Sequence, residues 1–340
     1  MLGWLEGIES ITGAVTDGVI VECSATERLL CHLPPSHIRR KIHDSIMLAG
    51  KAGASIASIG GVDYFMERRG QSLIDIPGTL LTTGLGLSLA TRLKAIDMVS
   101  FQFGIDLADV KVALVGAGHP AGAILARLLA QKVHYLAISE DVGAPDTARS
   151  NLGALAARIL HESGLAATIT SWSQAVSNAE VVVLAGDSPG PALVTLAQRL
   201  ESGSLLFDCR RQSLSPQSMI YGKNGEGNGE FERILVVTEP LLSIPGKYET
   251  QPPGLLGAGL VHPWMAEAMI LSLEGMSHTA SQPGRWLSIA WVEMIGRLAE
   301  KHGFFIGAVE CSRGVIHVRD LERLPRLLRD RDTEGREPAH

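Results

Sequence analysis

The chain has 340 residues, 46% of them hydrophobic and 19% charged, with a formal net charge of −6. That length suits two domains rather than one core, and the composition is that of an ordinary folded protein. The acidic balance gives no reason to expect nucleic acid or an anionic membrane as partner, and no apolar run approaches the roughly 20 residues of a membrane span. Four cysteines, Cys23, Cys31, Cys209 and Cys311, are scattered without a CxxC pair, which indicates neither a disulfide framework nor a zinc site. Glu6 and Glu9 precede the first arginine, Arg28, so the start lacks the basic segment of a signal peptide. A cytoplasmic protein is expected.

In chain order, the first hundred residues mix short apolar runs with turns, among them IGGVDYF (59–65) and IPGTLLTTGLGLSLATRL (76–93). From residue 111 the texture changes to apolar runs mostly separated by helical patterns. KVALV (111–115), HYLAIS (134–139), AATITS (166–171), AEVVVLAG (179–186), GSLLFD (203–208) and RILVVTE (233–239) read as six strands of a doubly wound parallel sheet in an α/β fold. GKNGEGNGE (222–230) is expected as a surface loop, and QPPG (251–254) as a break before helices over 263–275 and 286–302. The charged end RDRDTEGREPAH (329–340) is expected to fray. The predicted organisation is an N-terminal α/β substrate-side domain over 1–105, completed by helices from 255–310. A dinucleotide-binding Rossmann domain follows over 106–250, with a partly disordered extension over 311–340.

VALVGAGHPAG (112–122) carries the strongest signal. A strand runs into Gly116 and Gly118, and a helix opens near Pro120. Gly116 permits the tight turn, Gly118 lets the backbone approach a pyrophosphate, and Gly122 lets helix and strand sit close. His119 lies inside the loop, near any bound phosphate; an ordinary loop histidine is the alternative. Glu140 and Asp141, about 24 residues past Gly116, stand where an acid accepts bonds from ribose hydroxyls and repels a 2′-phosphate. The cofactor expected is NAD or NADP, with NAD preferred.

GLVHPWMAEAM (259–269) opens the helix after the break. Pro263 suits a first helical position, and Met265, Met269, Ile270 and Leu273 recur at helical spacing. Several short motifs now fall in one order: Ala49 and Lys51 up to IGGVDYF, TTG (82–84), GIDLADVKVALVGAG (104–118), AEAM (266–269), LEG (273–275) and KHGF (301–304). Over residues 40 to 310 this pattern resembles the long-chain acyl-(acyl-carrier-protein) reductases, within the shikimate dehydrogenase-like two-domain fold. The resemblance implies NAD(P)H at the glycine loop and substrate in the cleft between the domains. In that family a cysteine in the first turn of the 263-type helix attacks an acyl thioester, and hydride releases an aldehyde.

This chain departs from the pattern at that cysteine. Counting back from AEAM puts Trp264 at its position, and residues 210 to 310 contain no other cysteine. Indole is neither a nucleophile nor a leaving group, so thioester chemistry through residue 264 is excluded. In shikimate dehydrogenases the position matching Thr83 is an aspartate that works with a lysine, and that pair is missing too.

The remaining candidates each carry two readings. Cys209, just past a strand end, is a relocated nucleophile with Arg210 and Arg211 lowering its pKa, or a small semi-buried residue. His262 is a proton donor at a carbonyl, or a histidine bonded to backbone. Lys51 stands on the substrate side. Thr82 and Thr83 hold a substrate or the nicotinamide amide by their hydroxyls, or cap the helix after them. Glu267 and Glu274 share a helical face and are expected in a buried ion pair; Trp286 and Trp291 are expected in core or interface. Direct hydride transfer on a carbonyl or hydroxyl is the first functional expectation, with an apolar or aromatic substrate near Trp264, Met265 and Met269. The rival is a silent homologue that binds NAD(P) or another ligand as a sensor or partner subunit. A homodimer is the prior expectation for assembly.

Overall fold

The computed structural model describes residues 2–22, 33–60, 78–140, 146–177, 179–185, 195–196, 198–210, 234–251, 257–276 and 287–325. The chain divides into two compact units, residues 1–91 with 241–307, and 92–240 with 308–340.

The second unit is built on a parallel sheet. Its strands are β5 (Lys111–Val115), β6 (Tyr135–Ser139), β7 (Thr168–Ile169), β8 (Val181–Leu184), β9 (Leu205–Asp208) and the first part of β10 (Leu235–Ser243). They lie in the order β7-β6-β5-β8-β9-β10, every adjacent pair parallel. Counted from β5, this is the 3-2-1-4-5-6 order of dinucleotide-binding doubly wound sheets. All six strands expected from sequence are present. β8 and β9 are buried at every residue and β5 at all but Lys111, as in a parallel sheet covered on both faces. The core includes Ala113, Val115, Val182, Leu184, Leu206 and Val236. Helices follow β5 and β6 as α3 (Pro120–Leu129) and α4 (Asp146–Ser163), and α5 (Trp172–Val176) follows β7. Of the helix expected over 191–200, residues 195–196 are helical, 198–200 form a turn or bend, and the rest lie outside the described residues.

Two strands extend the sheet beyond β10: β13 (Phe305–Cys311) and β14 (Gly314–His317), which pair antiparallel with each other. Residues 311–325, read from sequence as the start of an extension, thus contribute β14 and a 3-10 turn at Val318–Arg323. Ser312 and Arg313 form the two-residue turn between β13 and β14, with Cys311 paired to Gly314. The loop 222–230, the terminal segment 329–340, Cys23, Cys31, Asp141, Arg211 and Trp286 lie outside the described residues.

The first unit has an antiparallel sheet of β1 (Leu2–Glu9), β2 (Val15–Val21) and β11 (Glu249–Gln251), in the order β11-β1-β2. Helix α1 (Pro35–Lys51) follows, and a short parallel pair joins β3 (Ile56–Ser58) to β4 (Leu80–Thr82). The end of β10 pairs antiparallel with β12 (Leu260–Val261). Helix α2 (Leu85–Gln102) begins in this unit, and α6 (Pro263–Leu273) and α7 (Ile289–His302) lie wholly within it. Leu5, Ile8, Leu87, Ala266, Ile270, Ile295 and Phe304 form its core.

Candidate functional site

The glycine loop sits at the carboxyl end of β5, where the strand order reverses and doubly wound sheets bind their ligands. Gly116 has φ +88°, a conformation that favours glycine, and the Gly116 and Ala117 N–H groups both donate to the Ser139 carbonyl at 2.8 and 3.0 Å. His119 is the N-cap of α3, and its Nδ1 accepts from the Ala121 N–H at 3.3 Å. A Cβ on Gly122 would lie 2.1 Å from the Gly116 carbonyl oxygen, so only glycine lets the helix start this close to the strand. The Glu140 carboxylate reaches back from the end of β6 and accepts from the Gly118 N–H. The structure thus brings Gly116, Gly118, His119, Gly122 and Glu140 into one loop.

Cys209 follows β9 in the same unit. The residue is 7% exposed, and burial pushes the thiol's pKa up to about 12, against the pull of Arg92. Arg210, read from sequence as a group that would activate this thiol, is turned onto Asp208 instead. Its Nε and Nη2 donate to the two carboxylate oxygens at 2.8 and 2.7 Å. Arg92 donates to the Cys209 carbonyl at 3.1 Å and to Glu239 at 2.6 Å. This geometry gives Cys209 a protonated thiol and matches the reading of a small buried residue. Little thiolate is expected at neutral pH. A thiol reagent at pH 7 should therefore label Cys209 no faster than Cys311, which is also buried. Fast labelling that Cys209→Ser removes would restore the nucleophile reading.

In the first unit the question is how a tryptophan fits at the start of α6. Two glycines make the room. A Cβ on Gly60 would lie 2.4 Å from Trp264 Cβ, and one on Gly84, at φ +68°, would lie 2.2 Å from Trp264 Cα. The Ser58 hydroxyl donates to the Trp264 carbonyl at 2.6 Å, and the indole stacks on His262 with ring centroids 5.9 Å apart. His262 is the N-cap of α6 but makes no side-chain cap hydrogen bond, which leaves its ring nitrogens uncommitted to the helix.

Glu267 is the residue that sequence reasoning placed in the wrong kind of contact. It is 1% exposed, and no basic side chain bonds to it among the described residues. Its oxygens accept from the Thr82 hydroxyl at 2.5 Å and the Leu87 N–H at 2.8 Å, so it caps the first turn of α2 from another helix. Burial raises its pKa, and the two hydrogen bonds lower it less. Thr82 in turn accepts from the Gly84 N–H at 3.0 Å, and Thr83 from the Leu85 N–H at 3.4 Å, so both hydroxyls serve the start of α2. Glu274 does form an ion pair, with Lys301, and its carboxylate also bonds to the buried His302. Lys51 ends α1, is exposed, and has no hydrogen bond to Thr82, Thr83 or His262 among the described residues. The signal for Glu267 was a single acid inside the apolar run Met265–Met269, which must find donors when buried.

No family model matches the chain. The aminotransferase PigE of Serratia sp. (strain ATCC 39006) is 25% identical over 313 residues, 88% of this chain. This chain spans 33% of that protein's length. Among solved structures, the A chain of dipicolinate synthase from Bacillus subtilis is similar over 72% of this chain and 70% of its own, at 12% identity and a TM-score of 0.34. Shikimate 5-dehydrogenase from Listeria monocytogenes, solved with shikimate and NAD, is similar over 65% of each chain, at 13% identity and a TM-score of 0.33. L-tryptophan dehydrogenase from Nostoc punctiforme is similar over 75% of this chain and 61% of its own, at 13% identity and a TM-score of 0.32. The fold assignment rests on the strand order and register described above. No helix among the described residues is long and apolar enough to cross a membrane.

Proposed function

We propose that this protein is an NAD(P)-dependent oxidoreductase that acts on a carbonyl or hydroxyl group by direct hydride transfer, without a covalent thioester. The observation that carries the reading is the loop at Gly116–Gly122. Its position at the sheet's reversal point, and the close seat of α3 against β5 that Gly122 permits, support a bound pyrophosphate at the helix N-terminus. The α3 N-terminus, opened by Pro120, would hold the phosphates, and Glu140 the ribose hydroxyls, with NAD favoured over NADP for that reason.

When bound, a reduced nicotinamide supplies the hydride. The chain itself then supplies a proton to the carbonyl oxygen, and His262 is the donor we assign, since no cap bond occupies its ring. Thr82 and Thr83 are tied to α2 and serve as positioning groups. Trp264 fills the space of an acyl-enzyme and offers an apolar face to substrate. The acyl-(acyl-carrier-protein) reductase likeness is carried over in this form, as a shared frame with different chemistry at residue 264.

A second reading, a nicotinamide- or ligand-binding homologue without turnover that acts as a sensor or partner subunit, is favoured by Trp264 in place of the thiol, by Thr83 in place of the shikimate-type aspartate and by the buried Cys209. Titration of the protein with NADH and NADPH, followed by nicotinamide fluorescence, separates the cases. Micromolar binding with NADH tighter, and NADPH gaining on it in Glu140→Ala, is the expected result. Absence of binding of either cofactor up to millimolar concentration overturns the oxidoreductase proposal. Binding without turnover on a panel of aldehydes, ketones and hydroxy acids favours the second reading.

A further inference from the structure

Arg92 of α2 reaches the carboxyl edge of the parallel sheet, and its side chain there is 9% exposed. Nη1 donates at 3.1 Å to the carbonyl of Cys209, just past β9, and Nη2 donates at 2.6 Å to Glu239 on β10. The parallel register that pairs Val237 with Phe207 sets Glu239 level with Cys209 when continued, so the guanidinium bridges two adjacent strand ends. Its third nitrogen, Nε, is buried and has no hydrogen-bond partner among the described residues.

A guanidinium N–H can only donate, and a buried donor without an acceptor costs free energy. Folded proteins keep few such groups, and a water, an ion or a ligand commonly accounts for those that remain. The charge of Arg92 is already met by Glu239, so the free N–H suits a neutral acceptor, such as an amide carbonyl, better than a second anion. The nearby buried carboxylate of Asp208 is turned onto Arg210 at both of its oxygens.

The place in the sheet narrows the choice of acceptor. In a doubly wound sheet of this strand order, each half takes one nucleotide of a dinucleotide that lies across the reversal point. The glycine loop and Glu140 belong to the half built on β5, β6 and β7, which the proposed function gives to the pyrophosphate and the adenosine ribose. The half built on β8, β9 and β10 is left for the nicotinamide, and Arg92 joins the ends of its last two strands. A nicotinamide carries a carboxamide, whose oxygen is a neutral acceptor.

We propose that the Arg92 Nε–H binds the carboxamide oxygen of the nicotinamide and thereby fixes how the ring lies. The assignment rests on the oxidoreductase reading and goes beyond it by naming the protein group that recognises the nicotinamide end.

The test is titration of the full chain with NADH, with ADP-ribose, and with the reduced acetylpyridine and thionicotinamide analogues of the cofactor. ADP-ribose lacks the nicotinamide, the acetylpyridine analogue keeps the carbonyl oxygen, and the thionicotinamide analogue replaces it with sulfur, a weak acceptor. Arg92→Lys keeps a cation for Glu239 and the Cys209 carbonyl but has no Nε–H. It should weaken NADH by about tenfold or more and ADP-ribose by less than about twofold, the size of one hydrogen bond to a charged donor. In the wild type the acetylpyridine analogue should bind within a few-fold of NADH, and the thionicotinamide analogue about tenfold more weakly. Equal losses of NADH and ADP-ribose in Arg92→Lys, or NADH binding left unchanged, overturn the proposal. If Arg92→Lys does not fold, the wild type decides alone, since a thionicotinamide analogue that binds as tightly as NADH overturns it as well. Wild-type binding of ADP-ribose as tight as that of NADH removes the Arg92 assignment and leaves the glycine loop standing. Binding of neither removes the oxidoreductase reading itself, and the assignment with it.

Discussion

Gly122→Ala is expected to lose NADH binding and to destabilise the protein by about 3 kcal/mol or more, at the upper end of what overpacking costs. The added Cβ meets three backbone atoms: the Gly116 carbonyl oxygen at 2.1 Å, its carbon at 3.0 Å and Ala117 Cα at 3.2 Å. None of these can rotate away as a side chain would. Relief requires α3 to move off β5, which separates the helix N-terminus from the turn that Gly116 makes at φ +88°. Gly153→Ala in α4 is the control, since a Cβ there meets nothing within 4 Å. Alanine at that exposed helical position should stabilise by about 0.5–1 kcal/mol. Thermal melts of both variants and NADH titration of each check the pair. A Gly122→Ala protein that melts and binds like the wild type would show that the loop is not tightly held against the strand.

The contrast between the two units explains what the sequence revealed. In the second unit each strand is an unbroken apolar run, because both faces of a parallel sheet are covered, and each is punctuated by glycine or by a helical pattern. The loop's function of holding helix against strand was equally local, which is why Gly116 and Gly122 were legible as a pair. The first unit gave weaker signals. β3 and β4 are three residues each, too short for any period to show, and their pairing joins Ile56–Ser58 to Leu80–Thr82 across an intervening segment. The glycines that seat Trp264 are Gly60 and Gly84, 204 and 180 residues away in sequence, and nothing local ties them to the helix they serve. Cys209 was misleading for a related reason. Arg210 beside it suggested activation, but adjacency in sequence does not say where a guanidinium turns, and Asp208 takes it. The same holds for Glu267. Its place on a helical face suggested an ion pair, while the donors it needs are a hydroxyl and a backbone N–H on another element.

Glu267 gives the second large expected effect, and its sign with pH follows from how the carboxyl is held. Burial raises its pKa above the ordinary glutamate value of about 4.3, and the bonds from Thr82 and Leu87 offset only part of that rise. The folded protein therefore keeps this proton to higher pH than the unfolded chain does. Its contribution to stability is complete below the unfolded value and is lost as pH rises through the folded one. Glu274 works in the opposite sense, since bonds from Lys301 and from His302 hold its carboxyl low, so the comparison must isolate residue 267. Glu267→Gln does so: its amide oxygen can still accept from Leu87 and its NH₂ can donate to the Thr82 oxygen, with no charge to desolvate. The melting temperature of the wild type relative to Glu267→Gln should fall as pH rises above the ordinary glutamate range. Glu267→Ala should lose about 2–4 kcal/mol at acidic pH, because it strands the Leu87 N–H and leaves a void against the start of α2. If the wild type instead gains on Glu267→Gln as pH rises, an unrecognised cation stabilises the carboxylate. A buried ion pair of the kind the helical face suggested would then have to be restored to this site.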